Sequence, residues 1–588
     1  MNYKLNTVDN KKEHDKGVLG TAWHRLVPLM AQEGRYVGIA LVAIGVTSFA
    51  TLISPVIIAR VVDGAIRNGD YHGIFIAGAL LLVIDVASLI SSYVQVRTMG
   101  GVGRRVLFKL RNQIFKKLQE LPVAFFSQNK SGDLISRINN DTDKLNQFFA
   151  QALMQFIGNG ALIIGAGVLL LGLNVRLGLA SLAPAVIILV VTQMLSPWVK
   201  RSNLRSLQKL GGMSGEIQES LQNFKVIVAF NRLDYFRTKF KEVNEENYSA
   251  SVRTGIANNT FTPLYTFASA LAQMVVLAYG IVLISHGQFS VGLLIGFILY
   301  VNSFYNPLRQ LASVWSSLQL ALAGLDRISE VLTLESNMPV IAGGEKAATA
   351  SVLEFKGVSF GYPDSPEVLH HIDLTLEKGK TYALVGPTGG GKTTTASLMA
   401  RLYDPTKGTV YLSGKDIRSY TPEERTKKIG FILQEPFLFT GTVRENILYG
   451  NDEYIGYTND QVAALLEKAN LAELLSRFSE GLDTKVSSSG DAISLGQKQL
   501  IAFIRAALRN PELLILDEAT ANIDTVTEQL LEEILKKFPK ETTRVIIAHR
   551  LNTIENADEI FFVNAGEVVK AGTMEHAVNM LLHGKRAS

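Results

Sequence analysis

Six long apolar stretches crowd the first half of this 588-residue chain, and they limit its fold more than any other feature. They cover about Tyr36 to Ile58, Ile74 to Val94, Ala150 to Leu171, Leu177 to Leu195, Leu264 to Ile284 and Val291 to Phe304. A helix needs ~20 apolar residues to cross a hydrocarbon core. Most of the stretches meet that length; the last is short and is interrupted by Tyr300 and Asn302. Buried core helices of a soluble protein have similar hydropathy, but six in one half, with so few internal charges, point to a bilayer.

Charge sets the orientation. Arg97, Arg104, Arg105, Lys109 and Arg111 lie between the second and third stretches, and Lys200, Arg201, Arg205 and Lys209 between the fourth and fifth. The turns near Arg176 and at Ser285 to Ser290 hold almost no basic residues. The positive-inside bias therefore puts both basic segments, the N-terminus and the second half of the chain in the cytosol. Both segments look helical and should extend the spans as cytoplasmic legs. Asp85 sits mid-span in Leu80-Leu81-Leu82-Val83-Ile84-Asp85-Val86-Ala87. A carboxylate there costs ~2.5–3.5 kcal/mol on insertion scales, so it should face the bundle interior or a water-filled cavity. It is a candidate membrane site for a cationic or proton-coupled cargo; the structural alternative is a hydrogen bond to Gln193 or Gln273.

The length calls for at least two domains. The absence of cysteine excludes disulfides and thiolate metal sites. A net charge of +5 gives no support to nucleic-acid binding. Met1 to Lys16 is polar, so no removable signal peptide is expected. From Ala321 to Gly344 a charged helical run gives way to Asn337-Met338-Pro339 and Gly343-Gly344-Glu345. This gives a helical membrane domain over 1–330, a linker over 331–351 and a second domain over 352–588. Short apolar strands alternate with helical runs in the second domain, which implies an α/β fold with a largely parallel sheet.

Within that domain, Gly386-Pro387-Thr388-Gly389-Gly390-Gly391-Lys392-Thr393-Thr394 follows the strand-like Tyr382 to Val385 and precedes a helix-compatible run. Strand, glycine loop and helix are the context a phosphate loop requires. The curled backbone and the helix N-terminus would cradle phosphates, Lys392 would reach the β- and γ-phosphates, and the Thr393 hydroxyl would ligate Mg²⁺. A glycine-rich turn that binds nothing would not need Lys-Thr at this offset. Leu513 to Glu518 reads as a buried strand ending in two carboxylates, Asp517 for the Mg²⁺ of bound nucleotide and Glu518 to polarise a water. Gln434 and His549 each follow an apolar strand and could reach the metal, the water or the γ-phosphate. Tyr362 is suited to stacking on a base, or to a place in the core.

These motifs, with Ile493-Ser494-Leu495-Gly496-Gln497, Ala521-Asn522-Ile523-Asp524 and Ile547-Ala548-His549-Arg550, occur in the order seen in ATP-binding cassette (ABC) transporters. The front half resembles the exporter type, and Pro122 to Asp143 and Glu219 to Phe230 look like its two coupling segments. The resemblance implies six spans with long cytoplasmic extensions, fused to an α/β P-loop nucleotide-binding domain, in the plasma (inner) membrane. It implies ATP and Mg²⁺ as ligands, Tyr362 on adenine, Gln434 sensing the γ-phosphate, Glu518 as catalytic base and His549 at the transition state. Asp524 would belong to the D-loop, and Ser494, Leu495, Gly496 and Gln497 would close over the ATP of a partner cassette.

One cassette and six spans imply a dimer. Leu495 occupies the first glycine position of the usual Leu-Ser-Gly-Gly-Gln signature, and the preceding segment lacks the glutamate common in exporters near Ser488. Both departures weaken the case for two copies of this chain making two equivalent ATP sites, and a heterodimer with a second half-transporter is favoured over a homodimer. ATP-driven export of a drug-like or lipid-like cargo is the expected function. An ATP-gated subunit with little turnover and a peptide exporter are the alternatives, with no N-terminal peptidase domain to point to leader-peptide processing.

Overall fold

The computed structural model describes residues 3–5, 28, 31, 33–342, 351–363, 365–487, 493–517, 525–547, 557–572, 575–576 and 580, with the backbone alone at 312–313, 315–316 and 525–527. The chain divides into two compact units. One comprises Asn6–Gln119 and Ser131–Thr333, the other Met1–Leu5, Glu120–Lys130 and Leu334–Ser588.

The first unit is helical, as backbone in a bilayer must be, because lipid offers N–H and C=O groups no other partners. Its long helices are α1 (Gly34–Val61), α2 (Tyr71–Glu120), α4 (Leu153–Leu173), α5 (Val175–Gln222), α6 (Leu233–Asn259), α7 (Phe261–Ser285) and α8 (Val291–Leu332). Six stretches are long and apolar enough to span a membrane, the fifth running continuously through α6 and α7. At 50 and 48 residues, α2 and α5 far exceed a bilayer crossing, so the basic segments do continue as helical legs. Side-chain caps start two of the helices. Asn174 Oδ1 accepts from the Leu177 N–H at 3.0 Å, and Ser290 Oγ from the Leu293 N–H at 3.2 Å.

The helix that looked weakest in the sequence lies at the centre of the bundle. Along α8, Phe297, Tyr300, Val301 and Tyr305 are buried in one core with Ala272 and Val276 of α7. The polar residues that interrupt its apolar run face neighbouring helices rather than lipid. Tyr300 donates to the Leu52 carbonyl at 2.5 Å, Tyr305 to the Ser181 carbonyl at 2.8 Å, and Gln273 Nε2 to Asn302 Oδ1 at 2.8 Å. Interhelical hydrogen bonds of this kind hold membrane helices together where apolar burial cannot. By contrast, the apolar window of α2 buries none of its residues within the chain.

At the cytoplasmic end, helical turns over Ser131–Ser136 and Arg137–Asp141 meet the end of α8. Arg137 is 1% exposed; it pairs with Asp133 at 2.9 Å and Glu330 at 2.8 Å, and donates to the Arg327 carbonyl at 2.6 Å. Arg327 in turn pairs with Asp133 and, at 2.9 Å, with buried Asp141. Burying a guanidinium is tolerable only with this density of partners.

The second unit has two main sheets and a two-stranded ribbon of β7 (Gly441–Thr442) and β8 (Lys485–Val486). An antiparallel sheet has the order β2-β1-β4-β5, from β1 (Leu353–Gly361), β2 (Glu367–Leu376), β4 (Lys407–Leu412) and β5 (Lys415–Asp416). The other has the order β12-β11-β3-β10-β9-β6, from β3 (Thr381–Val385), β6 (Ile429–Ile432), β9 (Leu513–Asp517), β10 (Thr543–Ile547), β11 (Glu559–Asn564) and β12 (Glu567–Lys570). The pairs β11–β3, β3–β10, β10–β9 and β9–β6 are parallel. All five residues of β9 are buried, as expected for a strand covered on both faces.

The short helix α3 (Val123–Gln128) belongs to this unit, as do Tyr3, Leu5 and the segment from Leu334. Tyr3 packs edge-on to Phe125 with ring centres 6.4 Å apart, and its N–H donates to Gln128 Oε1 at 2.8 Å. Buried Arg401 donates to the Pro339 carbonyl at 2.8 Å, and the Ile341 N–H to the Arg418 carbonyl at 3.0 Å. Residues 337–341, within the segment expected to be a linker, are thus docked on the second unit.

Candidate nucleotide-binding site and membrane cavity

The parallel strands deliver the sequence-predicted residues to one edge. Their register aligns Leu384 of β3 with Ile547 of β10, Ile547 with Asp517 of β9, and Leu516 with Ile432 of β6. The chain leaves β3 into the glycine loop, and Gln434 follows β6 by two residues. Phosphate loop, Asp517 and Gln434 therefore stand at the carboxyl ends of neighbouring strands, where open α/β sheets bind ligands. Glu518, Asp524 and His549 lie outside the described residues.

The loop shows why it needs glycine. Gly386 has φ +150°, and a Cβ there would sit 2.0 Å from the Val563 carbonyl oxygen. Gly391, at φ +111°, caps helix α9 (Lys392–Met399), and a Cβ would meet Leu369 at 2.7 Å. The exposed tip is Pro387, Thr388 and Gly389, while Gly390 is buried. Lys392 is buried, and its Nζ donates to the carbonyls of Gly386 at 2.8 Å and Pro387 at 3.1 Å. The ammonium thus points back over its own loop. Thr393 is exposed, whereas Thr394 is buried and its hydroxyl lies 3.1 Å from that of Tyr362. Tyr362 is half-buried and stands edge-on to Phe360 and Tyr403, at 5.0 and 5.4 Å. It therefore sits beside the loop and packs in an aromatic cluster at the same time.

For Mg²⁺ the donors are a buried carboxylate, Asp517, and the exposed Thr393 hydroxyl. Among the described residues no cluster of three or more acidic or histidine side chains could cage a metal. That set suits Mg²⁺, which keeps most of its waters and takes its other ligands from phosphates.

Ser494 caps helix α10 (Leu495–Arg509) in a reciprocal box with Gln497. Ser494 Oγ accepts from the Gln497 N–H at 3.2 Å, Gln497 Oε1 from the Ser494 N–H at 2.9 Å, and Gln497 Nε2 donates to the Arg477 carbonyl at 2.6 Å. Leu495 is the first helical residue, and its φ is not positive, so the backbone itself does not demand glycine there. Its side chain lines a cavity of about 350 Å³ with Phe437 and Lys498, while Gly496 behind it is buried.

In the helical unit, Asp85 lines a cavity of about 510 Å³. Its neighbours in the lining include Thr51 and Ser54 of α1, Asn159 of α4, and Asn302 and Ser303 of α8. Gln273 is engaged by Asn302 and Ser269, and among the described residues neither it nor Gln193 bonds Asp85. Sequence reasoning missed Asn159, Thr51 and Ser54, because a polar residue in an apolar run carries no sign of where it faces. It also missed Tyr403, which only the fold sets beside Tyr362.

A helical bundle of six membrane-crossing stretches, carried in one chain with a P-loop sheet domain, defines a membrane-embedded ATP-binding protein. The family model described as the ABC transporter transmembrane region matches residues 37–308, and the one described as ABC transporter matches residues 369–521. The chain is 32% identical over 97% of its length to an uncharacterized ABC transporter ATP-binding protein of Bacillus subtilis, covering 93% of that protein. It is 31% identical to a fatty acid ABC transporter ATP-binding/permease protein of Mycobacterium bovis, over 90% of this chain and 82% of that one. It is 30% identical to a multidrug resistance ABC transporter ATP-binding and permease protein of Lactococcus lactis, over 84% and 83%. The chain belongs to the ABC transporters. It is an exporter-type half-transporter, a multi-pass membrane protein with a cytoplasmic ATP-binding domain.

Proposed function

We propose that this chain is one half of a dimeric pump that uses ATP hydrolysis to export a hydrophobic or amphipathic cargo by alternating access, and that its partner is a different half-transporter. The carrying observation is the row of parallel strand ends that holds the phosphate loop, Asp517 and Gln434 together in a chain with six membrane-crossing stretches. Lys392 would bind the phosphates, and Thr393, Asp517 and Gln434 would hold Mg²⁺, which when bound neutralises phosphate charge. Glu518 would orient and deprotonate the attacking water, and His549 would stabilise the transition state. Tyr362 would stack on adenine, and Ser494, Leu495 and Gly496 would face the partner's nucleotide.

Relatives named for fatty acids and for multidrug resistance support a lipid-like or drug-like cargo. A partner is supported by apolar surface left exposed among the described residues. Phe224, Val226, Val228 and Phe230 are all exposed at the cytoplasmic tip beyond α5, where no lipid would shield them. The experiment is ATP-driven accumulation of amphipathic probes in inverted membrane vesicles, with Lys392→Ala as the binding-defective control. Accumulation equal in wild type and Lys392→Ala refutes the reading.

A further inference from the structure

We propose that α3, Asn129 and residues 335–337 form a binding site for an extended Tyr-x-Leu peptide, and that Tyr3-Lys4-Leu5 is its ligand, a displaceable latch that holds α3 in place. The inference goes beyond the export reading and does not depend on it. It concerns a contact made within the second unit alone.

Backbone and side chain are both recognised. Tyr3 and Leu5 are buried and Lys4 between them is exposed, the alternation of an extended strand laid on a surface. The Tyr3 N–H donates to Gln128 Oε1 at 2.8 Å. Asn129 then does the work of a neighbouring strand. Its Nδ2 donates to the Tyr3 carbonyl and its Oδ1 accepts from the Leu5 N–H, both at 2.9 Å. The second Nδ2 proton goes to the Phe125 carbonyl at 2.8 Å, so α3 itself fixes the amide for this task. Main-chain hydrogen bonds accept any extended peptide, and pockets for alternate side chains make such a site selective.

The selective pocket is the one that holds Tyr3. Its ring lies edge-on to buried Phe125, and its hydroxyl accepts from the Asn337 N–H at 2.6 Å. The single hydroxyl proton has two acceptors within reach, Asn337 Oδ1 at 2.9 Å and the Glu335 carbonyl at 3.1 Å. Any residue but tyrosine would leave these buried groups without the partner they have here. The ligand is also separable from its site, since 124 residues lie between Leu5 and Asn129. A contact made by so short a segment opens at far less cost than the sheets unfold. Helix α3 has only six residues, too few to hold its shape alone, so its order depends on what packs against it. Emptying the site therefore releases α3.

The test uses the full-length chain and a variant lacking residues 2–5, both in lipid nanodiscs, with a fluorescein-labelled peptide of residues 1–7. A tethered ligand competes at the effective concentration its linker sets, so the peptide should bind the truncated chain and be excluded from the full-length one. The same peptide with Tyr3→Ala should bind about tenfold or more weakly, as when an interface loses a buried tyrosine. Hydrogen exchange in 123–129 should be about tenfold faster or more in the truncated chain and return to the full-length rate with saturating peptide. No saturable binding to the truncated chain, equal binding of the Tyr3→Ala peptide, or exchange in 123–129 that truncation leaves unchanged overturns the proposal. Should truncation prevent folding, full-length Tyr3→Ala takes its place, and the native peptide must still slow exchange in 123–129 while the Tyr3→Ala peptide does not.

Discussion

The hydroxyls of Ser127 and Tyr403 lie 3.2 Å apart, joining α3 to the aromatic cluster that contains Tyr362. Tyr403 therefore touches the segment that resembles a coupling helix on one side and the candidate adenine-stacking residue on the other. Tyr403→Phe removes one part-exposed hydrogen bond, worth about 0.5–1.5 kcal/mol, and should change little. Tyr403→Ala also removes the ring against which Tyr362 is braced. We expect a several-fold loss of affinity for a fluorescent ATP analogue and a smaller rise in hydrolysis when cargo is added. Unchanged affinity and unchanged stimulation in Tyr403→Ala would remove Tyr403 from both roles.

Glu518→Gln and Lys392→Ala should fail in different ways. An amide cannot accept a proton as a carboxylate does, so Glu518→Gln should bind ATP and lose turnover by a factor of about 10²–10⁴. Lys392 is buried and turned over the loop, so Lys392→Ala should weaken nucleotide binding itself. Hydrolysis and affinity measured separately distinguish them, and near-normal turnover in Glu518→Gln would exclude it as the base.

Tyr3 is 1% exposed, and its hydroxyl accepts from the Asn337 N–H at 2.6 Å and lies 2.9 Å from Asn337 Oδ1, across 334 residues of sequence. Burial pushes its phenol above the usual range. Tyr3→Ala should cost about 3–5 kcal/mol of local stability, as for other buried aromatics. Hydrogen exchange should speed up in 123–129 and 335–341 and leave β9 and β10 protected. If exchange in those two segments is unaltered, Tyr3 does not anchor them.

Acid should loosen the edge formed by β4 and β5 early. Burial pushes Asp416 and Glu512 up, but the Arg418 fork on Asp416, and Lys428 with Ser413 on Glu512, hold both below the usual carboxylate range. A depressed folded-state pKa gives stability that is present above the unfolded value of ~4 and is lost as pH falls through the folded one. Amide protection in 411–417 should therefore fall as pH drops below about 4, and Asp416→Asn should flatten that dependence. An identical pH profile in Asp416→Asn would assign the effect elsewhere.

What the sequence revealed depended on the range of the interaction. The glycine loop and the long cytoplasmic legs are set by neighbouring residues, so they could be read directly. Arg137 was visible as part of a motif, but its partner Glu330 lies 193 residues away, and no local pattern connects them. The polar start of the chain gave no hint that Tyr3 is a core residue. Asn302 looked like a flaw in the sixth span because its partner, Gln273, is on another helix.

The final prediction concerns Leu495. At the first position of α10 its backbone is ordinary helix, so the leucine does not disturb the fold; its effect falls on whatever approaches that helix N-terminus. A branched side chain there stands where the signature glycine would let a phosphate come close to backbone N–H groups. The chain alone should then form few competent sites, although its own phosphate loop is intact, because each loop would be covered by a leucine-bearing signature. A partner with an intact signature should complete one fast site, and the site capped by Leu495 should be slow. Leu495→Gly should raise the ATP hydrolysis of the isolated chain several-fold, at a helix cost of no more than about 1 kcal/mol. The measurement is oligomeric state and hydrolysis of the purified chain with and without the substitution. A stable wild-type homodimer with two equally active, cargo-stimulated sites, unaffected by Leu495→Gly, would show that the leucine is neutral and that no second kind of half-transporter is needed.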